Sequence, residues 1–135
     1  MKSNAFRFFI FSLLFPLSIY GQSKIWGITN KGGSGTIGTV YNTDNDGTNQ
    51  ALLNEFAADN PGSKPFGDLI EINGKLYGLT SEGGNFNKGV IFSFDLATQQ
   101  YTKLFDFDGT ANGANPKGKL MQANNGLLYG VTSKG

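Results

Sequence analysis

The sequence predicts an all-β protein built from tandem units of about 51 residues, each containing four short strands. The first observation is a motif that occurs as IWGITNKGG at residues 25–33 and as LYGLTSEGG at residues 76–84, with a shorter third copy, LYGVTSKG, at residues 128–135. The first two copies start 51 residues apart, and the second and third start 52 apart. A fixed period of this length is typical of stacked supersecondary units that cannot bury their apolar surfaces alone.

The repeat extends beyond the motif, because a shift of 51 residues also superposes Gly38 on Gly89 and Pro65 on Pro116. One extra residue is absorbed in a turn, where Asn-Gly at residues 73–74 becomes Asn-Asn-Gly at residues 124–126. We expect the recurrent glycine and threonine positions to be structural. They are Gly27, Thr29, Gly32, Gly33, Gly78, Thr80, Gly83, Gly84, Gly89, Gly130 and Thr132.

The second unit has four apolar runs bounded by turn residues, at 75–80, 90–95, 101–107 and 119–123. Such short runs, with no helical period, predict β-strands. In the third run we expect Tyr101, Phe105 and Phe107 on one face of the strand and Leu104 on the other, because side chains alternate along a strand.

Several runs are apolar on both faces, as in Val-Ile-Phe at residues 90–92, which is expected of strands packed between two neighbouring sheets. Four strands in about 50 residues, with 20 glycines in the chain, match one blade of a β-propeller. A right-handed β-solenoid is the alternative, although its coils are shorter and more regular. The predicted fold is therefore an incomplete array of four-stranded, propeller-type blades.

Residues 1–21 are predicted to form a secretory signal peptide. Lys2 and Arg7 precede an apolar run at residues 8–19, and Gly21 is a small residue suited to cleavage, although a cut after Ser23 is an alternative. The run is shorter than the roughly 20 apolar residues that span a bilayer, and Pro16 interrupts it. We therefore expect an exported protein, secreted or at the cell surface, with no membrane span after cleavage.

The remaining chain divides into a first β repeat at residues 22–75, a second at 76–127 and the start of a third at 128–135. Repeat arrays need about three or more units for stability. Because the third motif stops short of its second glycine, we expect a fragment of a longer chain, a truncated gene model or an interrupted reading frame.

Charge and composition exclude several functions. Removing Lys2 and Arg7 from the 11 basic residues leaves 9 against 10 acidic ones, a net charge of −1, and the remaining lysines are dispersed. A nucleic-acid partner is therefore not expected. The chain has no cysteine and no histidine, which excludes disulfides, thiolate or imidazole metal sites and histidine-dependent nucleophiles.

The segments LYGLTSEGG at 76–84 and KGVIFS at 88–93 resemble the Gloeo/Verruco (GloVer) tandem repeat of exported bacterial proteins, and the resemblance covers nearly everything after Gln22. The stretch from the double glycine at 83–84 to residue 104 is also similar to a kelch blade, with Tyr101 where kelch repeats usually carry tryptophan. The resemblance implies a secreted, propeller-like array, often within a longer chain that ends in a surface-sorting domain. It implies no catalytic residue.

Asn42, Asp44 and Asp46 have the alternate spacing that opens a calcium-binding loop, and Gly47 follows them. The closing glutamate is absent, since the twelfth position is Leu53. Asp46-Gly47 is also ordinary turn chemistry between two strands. The turn is the favoured interpretation, and we expect no metal and no cofactor.

Asp106 and Asp108 are two residues apart, which on a strand would place their carboxylates about 6 to 7 Å apart, near the spacing of glycosidase carboxylates. The corresponding residues of the first unit are Glu55 and Ala57, and Asp108-Gly109 is a typical turn entry. A structural role is favoured, and we expect no catalytic residues.

Trp26, Tyr77 and Tyr129 share one repeat position. On an open surface they would form aromatic platforms for a sugar or a peptide, but large aromatic residues in strands are mostly buried, so a core position is favoured. We expect a secreted, non-enzymatic binding or scaffolding protein that recognises an extracellular protein or glycan at a loop face. The alternative is the non-catalytic part of a secreted polysaccharide-active enzyme.

Overall fold

The computed structural model describes residues 23–56 and 62–135, and the predicted signal peptide lies outside these residues. All regular secondary structure in the described ranges is β-strand, which confirms the all-β prediction. That part of the chain contains no helix of the length and apolarity that crossing a membrane requires. The strands are β1 (Lys24–Thr29), β2 (Thr39–Asp44), β3 (Ala51–Glu55), β4 (Ser63–Ile72), β5 (Lys75–Glu82), β6 (Val90–Asp95), β7 (Gln100–Asp106), β8 (Ala114–Pro116), β9 (Met121–Gln122), β10 (Leu128–Tyr129) and β11 (Thr132–Lys134).

The strands form several antiparallel sheets. One has the order β1-β2-β3, and a second has the order β4-β5-β6-β7. Two short pairs, β8 with β11 and β9 with β10, follow them. The strand β4 precedes the second copy of the motif in sequence but pairs with β5, which contains that copy. Each hydrogen-bonded sheet is therefore offset from the sequence repeat by one strand.

The pairing register repeats with the period of the sequence. Lys24 is opposite Asp44 in the first sheet, and Lys75 is opposite Asp95 in the second, with Nζ–carboxylate distances of 2.5 and 3.5 Å. The pairing of β2 with β3 and that of β6 with β7 shift register at the same repeat position. The sequence period is thus an internal structural repeat.

The pairs formed by β8 to β11 are a third copy of the hairpin β4-β5. Pro65 is opposite Thr80 in the second sheet, and Pro116 is opposite Thr132 in the third. The strand predicted at residues 119–123 is only Met121–Gln122, and it pairs with β10 and not with β7. The turn at Asn124-Asn125-Gly126 joins these two strands, as the sequence predicted.

The prediction for the faces of β7 is wrong. Phe105 is opposite Ile91, but Lys103 is opposite Phe92, so Leu104 is an extra residue in a β-bulge. A bulge moves every later side chain to the other face of the strand. Tyr101 therefore lies on the face of Phe92, whereas Phe105 lies on the opposite face.

The central strands β5 and β6 of the four-stranded sheet contribute buried residues to both faces, as the apolar run at residues 90–92 predicted. One face contributes to a cluster of buried residues that also includes side chains of the first sheet. The members of this first cluster are Val40, Phe56, Leu76, Phe92 and Phe94. The other face contributes Leu79 to a second cluster with Phe107 and Leu120. Neighbouring sheets thus pack face to face.

Candidate functional site

The side chains proposed as a calcium loop are engaged in a turn. Lys24 Nζ donates to Asp44 Oδ1 at 2.5 Å, and Asn49 Nδ2 donates to Asp44 Oδ2 at 2.6 Å. The hydrogen bond from Lys24 lowers the pKa of Asp44 below its ordinary value. Asp46 accepts from the backbone nitrogen and the hydroxyl of Thr48. The two carboxylates therefore point to different partners.

Asn42 contributes a buried side-chain oxygen, Oδ1, that has no hydrogen-bond partner among the described residues. Across residues 23–56 and 62–135, no three acidic, histidine or cysteine side chains come close enough together to hold a metal ion. The arrangement around Asp44 is an ion pair and a turn.

Asp106 and Asp108 each close a different loop. Asp106 Oδ1 accepts from the backbone nitrogen of Asn85 at 2.9 Å, and Lys103 Nζ lies 2.5 Å from Asp106 Oδ2. Asp108 Oδ1 accepts from the backbone nitrogens of Thr110 and Asn112 at 2.8 and 3.2 Å.

These contacts decide how the two carboxyl groups ionise. Burial alone would raise the pKa of Asp106, but the hydrogen bonds from Lys103 and Asn85 hold it below its ordinary value. The backbone hydrogen bonds from Thr110 and Asn112 likewise lower the pKa of Asp108. A glycosidase general acid needs a raised pKa, so neither carboxyl group suits that role.

Sequence reasoning missed a contact that occurs in both sheets: an acidic side chain at the end of a strand accepts a hydrogen bond from the residue that follows the double glycine. We call this contact the clamp; in the second sheet it joins Asp106 to Asn85. In the first sheet, Glu55 Oε2 accepts from the hydroxyl of Ser34 at 2.6 Å and from its backbone nitrogen at 3.3 Å. Ser34 and Asn85 are 51 residues apart, as are Glu55 and Asp106. An acid and a donor that both recur with the repeat were the sequence signal for this clamp.

The second glycine of the turn makes the clamp possible. Gly84 has a φ of +78°, and a Cβ built on it would lie 2.4 Å from Asp106 Oδ1. Any side chain would displace the carboxylate, and the backbone conformation is one that residues with a Cβ adopt at a cost. Glycine at position 84 is therefore needed for the contact between Asp106 and this turn.

The three aromatic residues at one repeat position do not form a single exposed row. Trp26 is half-buried against the first cluster, and Tyr77 is half-buried against the second. Tyr129 is 47% exposed, and its hydroxyl accepts from Asn125 Nδ2 at 3.0 Å. Two of the rings thus lie between sheets, and the third lies open to solvent.

A mainly apolar cavity of about 310 Å³ lies between the four-stranded sheet and the strands β8 to β11. We call it the Gly130 groove. Its lining residues are Leu79, Ile91, Leu104, Phe107, Leu120, Leu128, Gly130, Val131 and Thr132. Thr132 is the only polar side chain among them. The groove is therefore suited to apolar or aromatic groups.

A smaller polar cleft of about 230 Å³ lies at the turn end of the same strands and is lined by Ser81, Glu82, Asn115, Lys117, Ser133 and Lys134. Part of its polar capacity is used internally. Asn115 Nδ2 donates to the Ser81 carbonyl at 2.8 Å, and the Ser133 hydroxyl donates to the Asn115 carbonyl at 2.6 Å. These bonds tie β8 to β5 and β11.

The repeated register, the packing of neighbouring sheets against each other and the clamped double-glycine turns define an all-β tandem-repeat protein. The family model described as the Gloeobacter/Verrucomicrobia repeat matches residues 16–135, which is most of the chain. The chain belongs to this family, and the resemblance predicted from residues 76–84 and 88–93 is confirmed. The match begins inside the segment predicted as a signal peptide. No curated protein and no solved structure matches the chain.

Proposed function

We propose that this chain is an exported, non-enzymatic repeat protein whose sheets stack as propeller-type blades and which acts as a binding or scaffolding module. Its binding surface is the Gly130 groove, and its ligand is a protein. The observation that carries the proposal is the position of this apolar groove, between one complete sheet and the strands that follow it.

Propeller-type stacking is supported by the contacts between successive sheets, which recur with the repeat. The backbone nitrogen of Lys64 donates to the Ile37 carbonyl at 3.0 Å, and that of Asn115 donates to the Lys88 carbonyl at 2.7 Å. Both pairs are related by a shift of 51 residues. A module that joins to its neighbour through one recurring contact is suited to building a scaffold.

The non-enzymatic assignment is supported by the use made of the acidic side chains. Asp44, Glu55, Asp106 and Asp108 each accept hydrogen bonds within a turn or an ion pair. Paired carboxylates work as acid and base only when their pKa values are pushed apart. Here Asp106 and Asp108 both have a lowered pKa.

Protein recognition is favoured over glycan recognition because the Gly130 groove is mainly apolar. Sugars require several well-placed hydrogen-bonding groups, whereas the Gly130 groove offers one hydroxyl, that of Thr132. Apolar and aromatic side chains of a protein partner supply the matching surface, since such residues dominate the centres of protein interfaces.

The test is selection of ligands by the full chain from a phage-displayed random peptide library, in parallel with a glycan microarray. We expect peptides whose binding is lost in Leu120→Asp, which puts a charge into the groove, and retained in Met121→Gln, an exposed neighbour outside it. A microarray hit together with no selected peptide would overturn protein recognition.

A separate assay tests the non-enzymatic assignment. The full chain is incubated with a panel of polysaccharides, and reducing ends are measured. We expect no hydrolysis. Hydrolysis that is abolished by Asp106→Asn combined with Asp108→Asn would contradict the proposal, because this chain would then itself be catalytic.

A further inference from the structure

We infer that the turn formed by Asn73 and Gly74 is a site of self-modification, at which the asparagine amide converts to aspartate or isoaspartate with Glu71 as the proton acceptor. The reaction class is succinimide formation within the chain, followed by hydrolysis. The inference goes beyond the proposed binding function and does not depend on the identity of the ligand.

An Asn-Gly pair has both groups that this reaction needs. The asparagine side chain supplies the carbonyl carbon, and the glycine supplies a backbone nitrogen that no Cβ shields. The sequence contains three such pairs, at residues 73–74, 112–113 and 125–126. The pairs share the reacting groups and differ in their surroundings, so the structure ranks their reactivity.

The first pair forms an open turn between two complete strands. Asn73 and Gly74 join β4 to β5, and their φ angles of +53° and +77° are those of the two-residue turn that favours Asn-Gly. Both residues are exposed. Within the part of the chain that the structure describes, the Asn73 side chain makes no hydrogen bond. Its amide group can therefore rotate toward the backbone.

The Glu71 carboxylate lies at the atom that must react. The backbone nitrogen of Gly74 donates a hydrogen bond to Glu71 Oε1 at 2.7 Å. That distance is within the reach of about 2.6–3.2 Å from which a general base takes a proton. Glu71 therefore touches the nucleophile of the reaction.

The reaction balances without an oxidant or a reductant. Glu71 takes the proton of the Gly74 nitrogen as this nitrogen bonds to Asn73 Cγ and closes a five-membered succinimide. The bond from Cγ to Nδ2 breaks, and the leaving amide nitrogen takes the proton from Glu71 and departs as ammonia. Water then opens the ring at either carbonyl, which yields aspartate or isoaspartate at position 73.

The pair at residues 112–113 is held in place. Asn112 Nδ2 donates to Asp108 Oδ2 at 3.1 Å, and the Asn112 backbone nitrogen donates to Asp108 Oδ1 at 3.2 Å. The Gly113 carbonyl accepts from the backbone nitrogen of Gly109 at 3.0 Å. Attack on the Asn112 amide would first have to break the bond to Asp108.

The pair at residues 125–126 is also held. Asn125 Nδ2 donates to the Tyr129 hydroxyl at 3.0 Å, and Asn125 Oδ1 accepts from the backbone nitrogen of Leu127 at 3.0 Å. The Gly126 nitrogen donates to the Ala123 carbonyl at 2.9 Å and not to a carboxylate. Of the three pairs, the one at residues 73–74 thus combines an untethered amide with a base on the nucleophile.

Modification at position 73 would disturb the hairpin of β4 and β5. Isoaspartate carries the main chain through the former side chain and so lengthens a turn of two residues. The register of a hairpin depends on its turn. The Gly74 carbonyl also accepts from the backbone nitrogen of Leu96 at 3.0 Å, and a longer turn would move it. We therefore expect isoaspartate-containing chains to melt at a lower temperature than unmodified chains.

The test is incubation of the full chain at mildly alkaline pH in water enriched in heavy oxygen, followed by proteolysis and mass spectrometry of the three Asn-Gly peptides. The same chain unfolded in guanidinium chloride is the reference, because all three pairs are then released from the fold. We expect the ratio of the folded to the unfolded rate to be at least about tenfold higher at Asn73 than at Asn112, since a positioned base contributes about a hundredfold or more.

Glu71→Gln tests the base, because it keeps the length of the side chain and removes the carboxylate. In the folded variant, the rate at Asn73 should fall about tenfold or more. The matched control is Glu82→Gln, which removes a carboxylate that pairs with Lys64, and it should leave the rate unchanged. Thermal melts establish that each variant folds, and Glu71→Asp, whose shorter side chain draws the carboxylate away from the nitrogen, is the second variant.

Two results would overturn the inference. One is faster reaction at Asn112 or Asn125 than at Asn73 in the folded chain, or reaction at Asn73 only when the chain is unfolded. The other is an undiminished rate at Asn73 in folded Glu71→Gln or Glu71→Asp, which would mean that Glu71 does not take the proton.

Discussion

The ring of Phe92 lies against the backbone of Gly78, so that a Cβ built on the glycine would lie 2.6 Å from Phe92 Cζ. Leu69 Cδ2 closes the other side, at 2.8 Å from the same position. At Gly130, the same repeat position of the third motif, the nearest atom to a built Cβ is Leu120 Cδ2 at 3.0 Å. The two glycines are therefore a matched pair that differ in what covers them.

We expect Gly78→Ala to lower the free energy of unfolding by about 1–3 kcal/mol, as overpacking of a filled core does. Gly130→Ala should cost less than about 1 kcal/mol, because only the end of a flexible leucine must move. Urea unfolding of both variants measures the difference. Equal losses would contradict the idea that the ring of Phe92 makes Gly78 intolerant of a side chain.

Tyr101 has a buried hydroxyl with no hydrogen-bond partner among the described residues, and its burial raises the pKa of the phenol well above its ordinary value. Tyr101→Phe keeps the ring between Phe92 and Phe56. We expect the free energy of unfolding to stay the same or rise by up to about 2 kcal/mol, since a desolvated, unpaired hydroxyl is removed. Thermal and urea melts provide the measurement.

Tyr101→Leu is the control for that substitution. It also removes the hydroxyl, but it loses the stacking on Phe92 and should destabilise the fold by about 1 kcal/mol or more. A Phe variant that is as unstable as the Leu variant would mean that the hydroxyl has a stabilising partner.

Gly84 and Gly33 occupy the same position of the clamped turn, with φ angles of +78° and +77°. Alanine at either position should lower the free energy of unfolding by about 1–2 kcal/mol, because a residue with a Cβ is strained in the left-handed conformation. Gly84→Ala should cost more than Gly33→Ala, because its Cβ also displaces Asp106, whereas the nearest atom to a Cβ at Gly33 is Thr39 Cγ2 at 3.1 Å. Differential scanning calorimetry would rank the two; the reverse order would contradict the clamp.

The clamps also predict acid sensitivity. The pKa of Glu55 is lowered by its hydrogen bonds from Ser34, and that of Asp106 is lowered although burial opposes it. A carboxyl group with a lower pKa in the folded state stabilises the fold fully above its unfolded pKa of about 4, and that contribution is lost as the pH falls through the folded value. The melting temperature should therefore fall steeply below about pH 4.

Two variants test that assignment. Asp106→Asn should lower the melting temperature at neutral pH and flatten its dependence on acid, since one of the linked protons is removed. Lys103→Met keeps the hydrogen bond from Asn85 to Asp106, so it should reduce the pH dependence of the melting temperature less than Asp106→Asn does. If the melting temperature of Asp106→Asn falls with pH as steeply as that of the unchanged protein, the acid transition is caused by other groups.

Several features of the fold were predictable because they depend on local patterns. The strand β6 begins and ends at the predicted residues 90 and 95, since its apolar run is bounded by turn residues on both sides. The repeat of the motif predicted the repeat of the register, and the double glycine predicted the turn. The unit boundaries after residues 75 and 127, the signal peptide and the kelch-like blade remain predictions.

The sequence by itself determined that this is an all-β protein of the Gloeobacter/Verrucomicrobia repeat family, because periodicity and turn chemistry are properties of neighbouring residues. Only the tertiary structure decided which strands pair, since β4 joins the sheet of the following motif and Leu104 forms a bulge that reverses the face of Phe105. It alone showed that the ring of Phe92 lies over Gly78, because strand pairing brings together residues that are distant in sequence.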